Sequence, residues 1–467
     1  MWETEAGQRW LTVLVCATLY IFGIRCGIGM KTISEFFERI RLEKHLGVSS
    51  GSLQRLVAEI EKAIMEYKET YEKNKNGAAQ AVIGADETFF DKMILVMIEL
   101  SSGCILLEEP AEDRTYETWK EKAVSALKAL GLTAVYMVSD NAKALAKLAL
   151  EGIGCSRIPD LFHAVHETVK VMGIRFANKK ASPERKLSKA VTALDLLIKL
   201  GKNPEKIRTK EQIIGKLKAE REFILKGQSR CHEELHNFSE AAHPFSVDDN
   251  SPRTAEDVVR MLLLILCALR ALAEEHGIKD NKKGLDKAEK QIREIAALID
   301  LWWVKESIAH FSPDAEKADW LLYFFLPVVY WQIQLQRTSS EPLRYAYETA
   351  YEEALGLLNS HPLTPGISEE ETAQWHSWAH WTVMKFQRTS SAVEGRNGTL
   401  SRMNHNQRAI PLTRLKALTV IHNFEIKRKD GTTAAERLFG EKFPDLFEWI
   451  VERMEDLPLP RDRLVTN

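Results

Sequence analysis

Paired cysteines are missing from this chain of 467 residues. Its six cysteines, Cys16, Cys26, Cys104, Cys155, Cys231 and Cys267, stand far apart with no C-x-x-C pair. That spacing argues against a zinc site, and a disulfide scaffold is implausible at this size, so a reducing cytoplasm fits best. An excess of one charge is lacking too. Sixty-four basic residues against 66 acidic ones leave a formal net of −2, so the chain as a whole is not a basic nucleic-acid binder. Any DNA surface has to come from local segregation of charge. A membrane span needs roughly 20 apolar residues, and the one candidate run, Trp10 to Ile24, ends at Arg25. The acidic start Met1-Trp2-Glu3-Thr4-Glu5 is the opposite of a signal peptide's cationic opening, so this run reads as a buried helix. Internal repeats and low-complexity tracts are also absent. With 45% apolar and 28% charged residues, an ordinary folded chain of two to four domains remains.

What is present divides into four stretches. Residues 1–78 read as helical. Within them His45-Leu46-Gly47-Val48-Ser49-Ser50-Gly51-Ser52-Leu53-Gln54-Arg55 is patterned like the turn and second helix of a helix-turn-helix. Gly47 suits the turn, Ser49 or Ser50 the cap, and Leu53 and Leu56 the buried side. Ser52, Gln54 and Arg55 would then face a DNA groove; an ordinary helical hairpin explains the same pattern. Residues 79–176 alternate differently. Strands are expected at Ala81–Asp86, Met93–Leu100 and Cys104–Glu108, then a helix Tyr116–Leu130 stopped by Gly131. A strand Ala134–Val138, a helix Ala142–Leu150 and a short strand near Arg157 to Leu161 complete the series. Residues 177–374 form a strandless helical region, with long helical patterns at Ala255–His276, Asp286–Trp303 and Pro342–Leu358. Its tryptophans, Trp302, Trp303, Trp320 and Trp331, read mainly as core. Residues 375–467 are helical again.

Asp86 and Asp140 both end apolar strands. A carboxylate held there at a sheet edge is costly to desolvate unless a cation is bound. Mg²⁺ (or Mn²⁺) takes hard oxygen ligands. Two such ions can activate an attacking oxygen and stabilise the leaving one in a displacement at phosphorus. Strand-end aspartates also cap helices, which suits Asp140 before Asn141-Ala142-Lys143 equally well. For a third carboxylate, Glu394 stands in Ser390-Ser391-Ala392-Val393-Glu394-Gly395-Arg396-Asn397. A capping box of Ser391 with Glu394 is the structural alternative. On a helix, however, Glu394, Asn397, Ser401 and His405 share one polar face.

These motifs resemble the DDE triad of insertion-sequence transposases: Gly84-Ala85-Asp86-Glu87-Thr88, Ser139-Asp140-Asn141, and Glu394 followed by Asn397. Between them Asp160-Leu161-Phe162-His163 matches the [C/D]-x-x-H signature of the hAT and Mutator-like superfamilies, and Leu418-Thr419-Val420-Ile421-His422-Asn423-Phe424 looks like the tail of prokaryotic members. The resemblance implies an α/β RNase H-like catalytic core interrupted by an all-helical insertion, Asp86, Asp140 and Glu394 as catalytic metal ligands, and Asp160, His163 and Asn397 as support. It also implies double-stranded DNA, at transposon ends and target, as substrate, a homodimer or larger assembly, and a place at the nucleoid of a prokaryotic cell. The departure is spacing: 254 residues separate Asp140 from Glu394, and Glu167 competes for the third position. A structure-selective nuclease, or a domesticated DNA-binding protein without activity, keeps the same fold.

Charge is segregated as a DNA binder requires. Residues 170–230 hold 17 basic and 6 acidic side chains, and residues 385–437 hold 11 and 4. These stretches, including Arg396, Arg402 and Arg408, are expected to contact phosphates.

Overall fold

In the computed structural model, residues 4–72, 79–90, 92–201, 203–279, 283–303, 314–407, 410–454 and 456–460 are described. The protein is predominantly helical, with one mixed five-stranded sheet. It forms two compact units: unit 1 is Met1–Arg157 with Thr389–Asn467, and unit 2 is Ile158–Arg388. The N-terminal helices and the sheet therefore share a unit, and the region expected to be strandless lies within the other.

The sheet holds the strands expected from the alternation, with β1, β3 and β4 longer than expected and β2 and β5 slightly shorter: β1 Ala79–Phe89, β2 Met93–Glu99, β3 Cys104–Ala111, β4 Leu132–Ser139 and β5 Ser156–Pro159. Their spatial order is β3-β2-β1-β4-β5. The first three form an antiparallel meander, and β1 pairs in parallel with β4. Pleating sends alternate residues of β1 to opposite faces. Ala81, Ile83 and Ala85 join a core with Trp119, Ala123 and Leu127 of the helix Tyr116–Leu130. That helix is capped by Thr115 and closed by Gly131 at φ 64°. Gly84, on the opposite face, lies under the helix Ser391–Gln407. A Cβ there would fall 2.6 Å from Leu100 Cδ2 and 3.0 Å from Val393 Cγ2, so only glycine lets this helix approach the sheet.

The edge strand β3 is closed by a side chain. Asn423, on the helix Leu412–Phe424, accepts from Ile105 N–H and donates to Ile105 O, each at 2.9 Å, as a neighbouring strand would.

A second core of unit 1 joins the N-terminal helices to the C-terminal ones. The expected buried helix spans Glu5–Arg25, and by length and composition alone it could cross a membrane. Here Leu11, Val15, Leu19, Tyr20 and Ile24 pack with Ile60, Ile64, Val420, Ile421 and Ile450. Ser49 caps the helix Ser50–Tyr71 through Ser52 N–H, and Leu53 and Leu56 are buried as expected. Ser52 departs from its expected place in a DNA groove. It lies in the buried stripe with Leu53, Leu56 and Val57, its hydroxyl bonded to Ser49 Oγ at 2.9 Å, so it does not face a groove. Gln54 and Arg55 are exposed. The turn before this helix is covered, because Gly47 N–H donates to Pro458 O at 2.6 Å.

Unit 2 begins with two long helices, Leu161–Lys199 and Pro204–Ala241, which pack against each other. At 39 residues and about 1.5 Å per residue the first is roughly 58 Å long. The body of the unit is held by aromatic rings: Phe245 packs against Trp302, Trp303 and Tyr330, and Trp331 stacks on Tyr347. Trp302 Nε1 donates to Thr382 O and Trp331 Nε1 to Asn250 Oδ1, at 2.9 and 2.7 Å. Trp302, Trp320 and Trp331 are buried core residues, and Trp303 is half-buried. At the centre His243, fully buried, bridges the hydroxyls of Tyr330 and Tyr347, and burial holds its pKa well below the ordinary value.

Candidate active site at the strand ends

The parallel register of β1 and β4 pairs Gly84 with Val138. Asp86 follows Gly84 by two residues inside β1, which runs on to Phe89 rather than ending at the aspartate as expected, and Asp140 follows Val138 by two, one residue past the end of β4. Asp86 lies on the Gly84 face of β1, under the helix Ser391–Gln407. From that helix Asn397 donates its Nδ2 hydrogen to Asp86 Oδ2 at 3.0 Å, and Asn397 Oδ1 is buried with no hydrogen-bond donor among the described residues. Glu394 is three residues before Asn397, on the same helix face. Asp86, Asp140 and Glu394 all belong to unit 1, whereas Glu167 belongs to unit 2 and is paired with Lys170 at 3.0 Å and Lys287 at 3.9 Å.

Two structural alternatives are decided here. The helix starts at Ser391, which makes Ser390 the residue outside it; a box of Ser391 with Glu394 is out of register by one, and Ser391 Oγ instead accepts from Thr389 Oγ1 at 3.1 Å. Asp140 does cap locally: its Oδ1 accepts from Ala142 N–H at 2.9 Å. That bond uses one carboxylate oxygen and orients the other.

Beside Asp140 a cavity of about 410 Å³ is lined by Glu87, Arg114, Asn141 and Lys143. Arg114 Nη1 donates to Glu87 Oε1 at 2.8 Å, and that bond and charge raise the Arg114 pKa above its ordinary value. Arg157 donates through Nη2 to Asp140 O at 2.9 Å and also reaches Asn141 Oδ1. None of these was singled out from the sequence. A cation just after a strand and a carboxylate next to the candidate aspartate are the only local signals, and both are common.

Other candidates are engaged locally. Asp160, buried, caps the helix Leu161–Lys199 by accepting from Phe162 N–H at 2.7 Å, and His163 sits half-buried with its ring edge toward Phe162; both are unit 2 residues. Arg402 is exposed and touches Thr399 Oγ1 at 3.3 Å, and Arg408 lies outside the described residues. Arg396 corrects the expectation of a phosphate contact. It is buried, with Nε and Nη2 donating to Glu108 Oε1 and Oε2 at 2.7 and 2.6 Å, while Thr419 Oγ1 also donates to Oε2 at 2.6 Å. The guanidinium is consumed by an acid from β3 that the sequence places 288 residues away.

Residues 321–466 match a family described as a family of unknown function, DUF6399. No curated protein sequence matches the chain. The matched stretch carries Glu394, Arg396 and Asn397 of unit 1, and neither aspartate.

Proposed function

We propose that the chain is a DNA transposase of the DDE type. On this reading unit 1 is an RNase H-like catalytic core that cleaves strands at transposon ends and transfers them into target DNA. One observation carries the reading: Asp86 in β1 and Asp140 just past β4 each stand two residues beyond the paired Gly84 and Val138 of these parallel strands, and Asn397, one turn after Glu394, is bonded to Asp86. The meander followed by a parallel strand, in the order β3-β2-β1-β4-β5, is the sheet an RNase H-like core requires.

The donor set suits Mg²⁺ or Mn²⁺. Asp86, Asp140 and Glu394 supply carboxylate oxygens, and the buried Asn397 Oδ1, without a donor among the described residues, is a further hard oxygen. Bound there, two ions would polarise the phosphate and lower the pKa of an attacking water or 3′-hydroxyl. The chain's own residues do the rest. Asn397 orients the Asp86 carboxylate, the Ala142 amide orients Asp140, and Arg114 and Lys143 beside Asp140 present cations to phosphate oxygens. The exposed cations of residues 170–230, with Gln54, Arg55 and Arg402, are assigned to the DNA backbone. The protein would act as a homodimer or larger assembly, in the cytoplasm at the nucleoid of a prokaryotic cell.

The test is nicking and strand transfer on supercoiled plasmid with Mg²⁺ and with EDTA. Asp86→Ala and Asp140→Ala should each abolish both while leaving DNA binding intact. Metal-dependent nicking with no strand transfer assigns a nuclease instead. Activity retained in Asp86→Ala removes that carboxylate from the mechanism, and DNA binding with no nicking by the unaltered protein removes the enzyme reading.

A further inference from the structure

A second cavity of unit 1, about 360 Å³, lies where the helix Ser391–Gln407, the β2–β3 turn and the segment 422–437 meet. Its polar wall is cationic. Arg396, Arg428, Arg437 and His422 line it, and among the described residues no acidic side chain does. Arg396 is neutralised by Glu108 and His422 is held neutral, so the excess charge comes from Arg428 and Arg437.

Both guanidiniums are fixed by the turn they face. Arg437 donates from Nε to Ser102 O at 2.9 Å and from Nη1 to Thr432 O at 2.6 Å. Arg428 donates from Nη1 to Ser101 O at 3.2 Å. Gly103 makes room for it: the φ there is +79°, and a Cβ would fall 2.6 Å from Arg428 Nη2. Among the described residues the one carboxylate within ion-pair distance of either is Asp430, 3.9 Å from Arg437 Nη1, while Glu99 and Glu436 act from further away. Among the described residues Arg428 has no carboxylate within ion-pair distance. Burial, and after it the neighbouring Arg428 charge, pulls the Arg437 pKa down to about 10. Opposite them the wall is apolar, formed by Ile98, Ala392 and Ile426.

We propose that this cavity binds a phosphate group, with the remaining guanidinium N–H groups of Arg428 and Arg437 as donors and the apolar wall against the group that carries the phosphate. Arginine matches phosphate geometry with paired donors and a charge that burial does not remove. The volume sits at the small end of ligand pockets, roughly 300–1,000 Å³, which suits a mononucleotide. A free nucleotide and one nucleotide unit of a nucleic-acid chain are the two sources of that chemistry. None of Asp86, Asp140 and Glu394 lines this cavity, and binding there needs no catalysis.

The test is calorimetric titration of the full-length protein with inorganic phosphate, adenosine monophosphate and a short DNA duplex. The same titrations are run on Arg428→Gln, a variant whose altered side chain is exposed and gives up one bond to a backbone carbonyl. Saturable binding of phosphate or mononucleotide, weakened at least tenfold in Arg428→Gln with an unchanged circular dichroism spectrum, supports the site. Displacement of the mononucleotide by duplex assigns the nucleic acid as source, and failure to displace it assigns the free nucleotide. No saturable binding of either small ligand at millimolar concentration overturns the proposal, as does equal affinity in Arg428→Gln. Should that variant unfold, Arg428→Lys, which keeps the charge and loses the paired donors, gives the same decision.

Discussion

Asn397 and Asp86 lie 311 residues apart in the chain and 3.0 Å apart in space, the amide donating to the carboxylate. The bond fixes one oxygen of Asp86 and brings a second oxygen, Asn397 Oδ1, to the same place without a donor of its own among the described residues.

Replacing Asn397 by alanine should therefore lower plasmid nicking about 10- to 100-fold, the usual cost of losing a residue that orients a metal ligand. Raising Mg²⁺ should recover part of the loss. Equal nicking at every metal concentration would remove Asn397 from the site.

Gly84→Ala should destabilise unit 1 by about 1–3 kcal/mol, as over-packing does, because the new methyl meets Leu100 and Val393. Denaturant melts read the stability. A variant as stable as the parent would mean that the helix Ser391–Gln407 does not bear on β1.

Arg396→Met should cost about 3–5 kcal/mol by leaving Glu108 charged and buried. Adding Glu108→Leu should recover most of that loss, because the stranded charge is gone. If the single variant is instead stable but binds DNA more weakly, Arg396 contacts phosphate after all.

His422 sets a pH dependence. Burial, and then the Arg396 charge, lower its pKa to about 4, while its Nε2–H donates to Gly103 O at 3.0 Å. The folded pKa lies below the unfolded one, so the unfolded chain binds the extra proton. The stabilisation is complete above pH ~6.5 and is lost as pH falls toward 4. On the order of 3 kcal/mol should disappear over that window, and His422→Gln should flatten this part of the stability profile. An unchanged profile would show that His422 is solvated in the folded state.

Arg185, Lys186 and Lys189 are exposed on the helix Leu161–Lys199. Reversing all three to glutamate should weaken duplex binding on every DNA sequence. The slope of log affinity against log salt should fall by about 0.9 for each phosphate that is no longer neutralised. An unchanged slope would take this helix out of the DNA surface.

Local patterns made much of unit 1 legible. The period-two alternation of Ala81 to Ala85, the caps at Ser49 and Thr115 and the stop at Gly131 act over a few residues, and each element forms where the pattern places it. The end of β4 just before Asp140 follows from the same alternation, whereas β1 runs three residues beyond Asp86.

The partners of individual side chains belong to the tertiary structure. Arg396 reads as one more cation in a basic stretch until β3 brings Glu108 against it, and Ser52 reads as a groove residue until its helix is rotated onto the core. Asn423 looks like part of a terminal motif, yet its amide closes the edge of β3. Periodicity reports which face of an element is buried, because that depends on neighbours three or four residues away. Whether a charge meets water, a phosphate or an opposite charge depends on residues hundreds of positions distant, and only packing decides that.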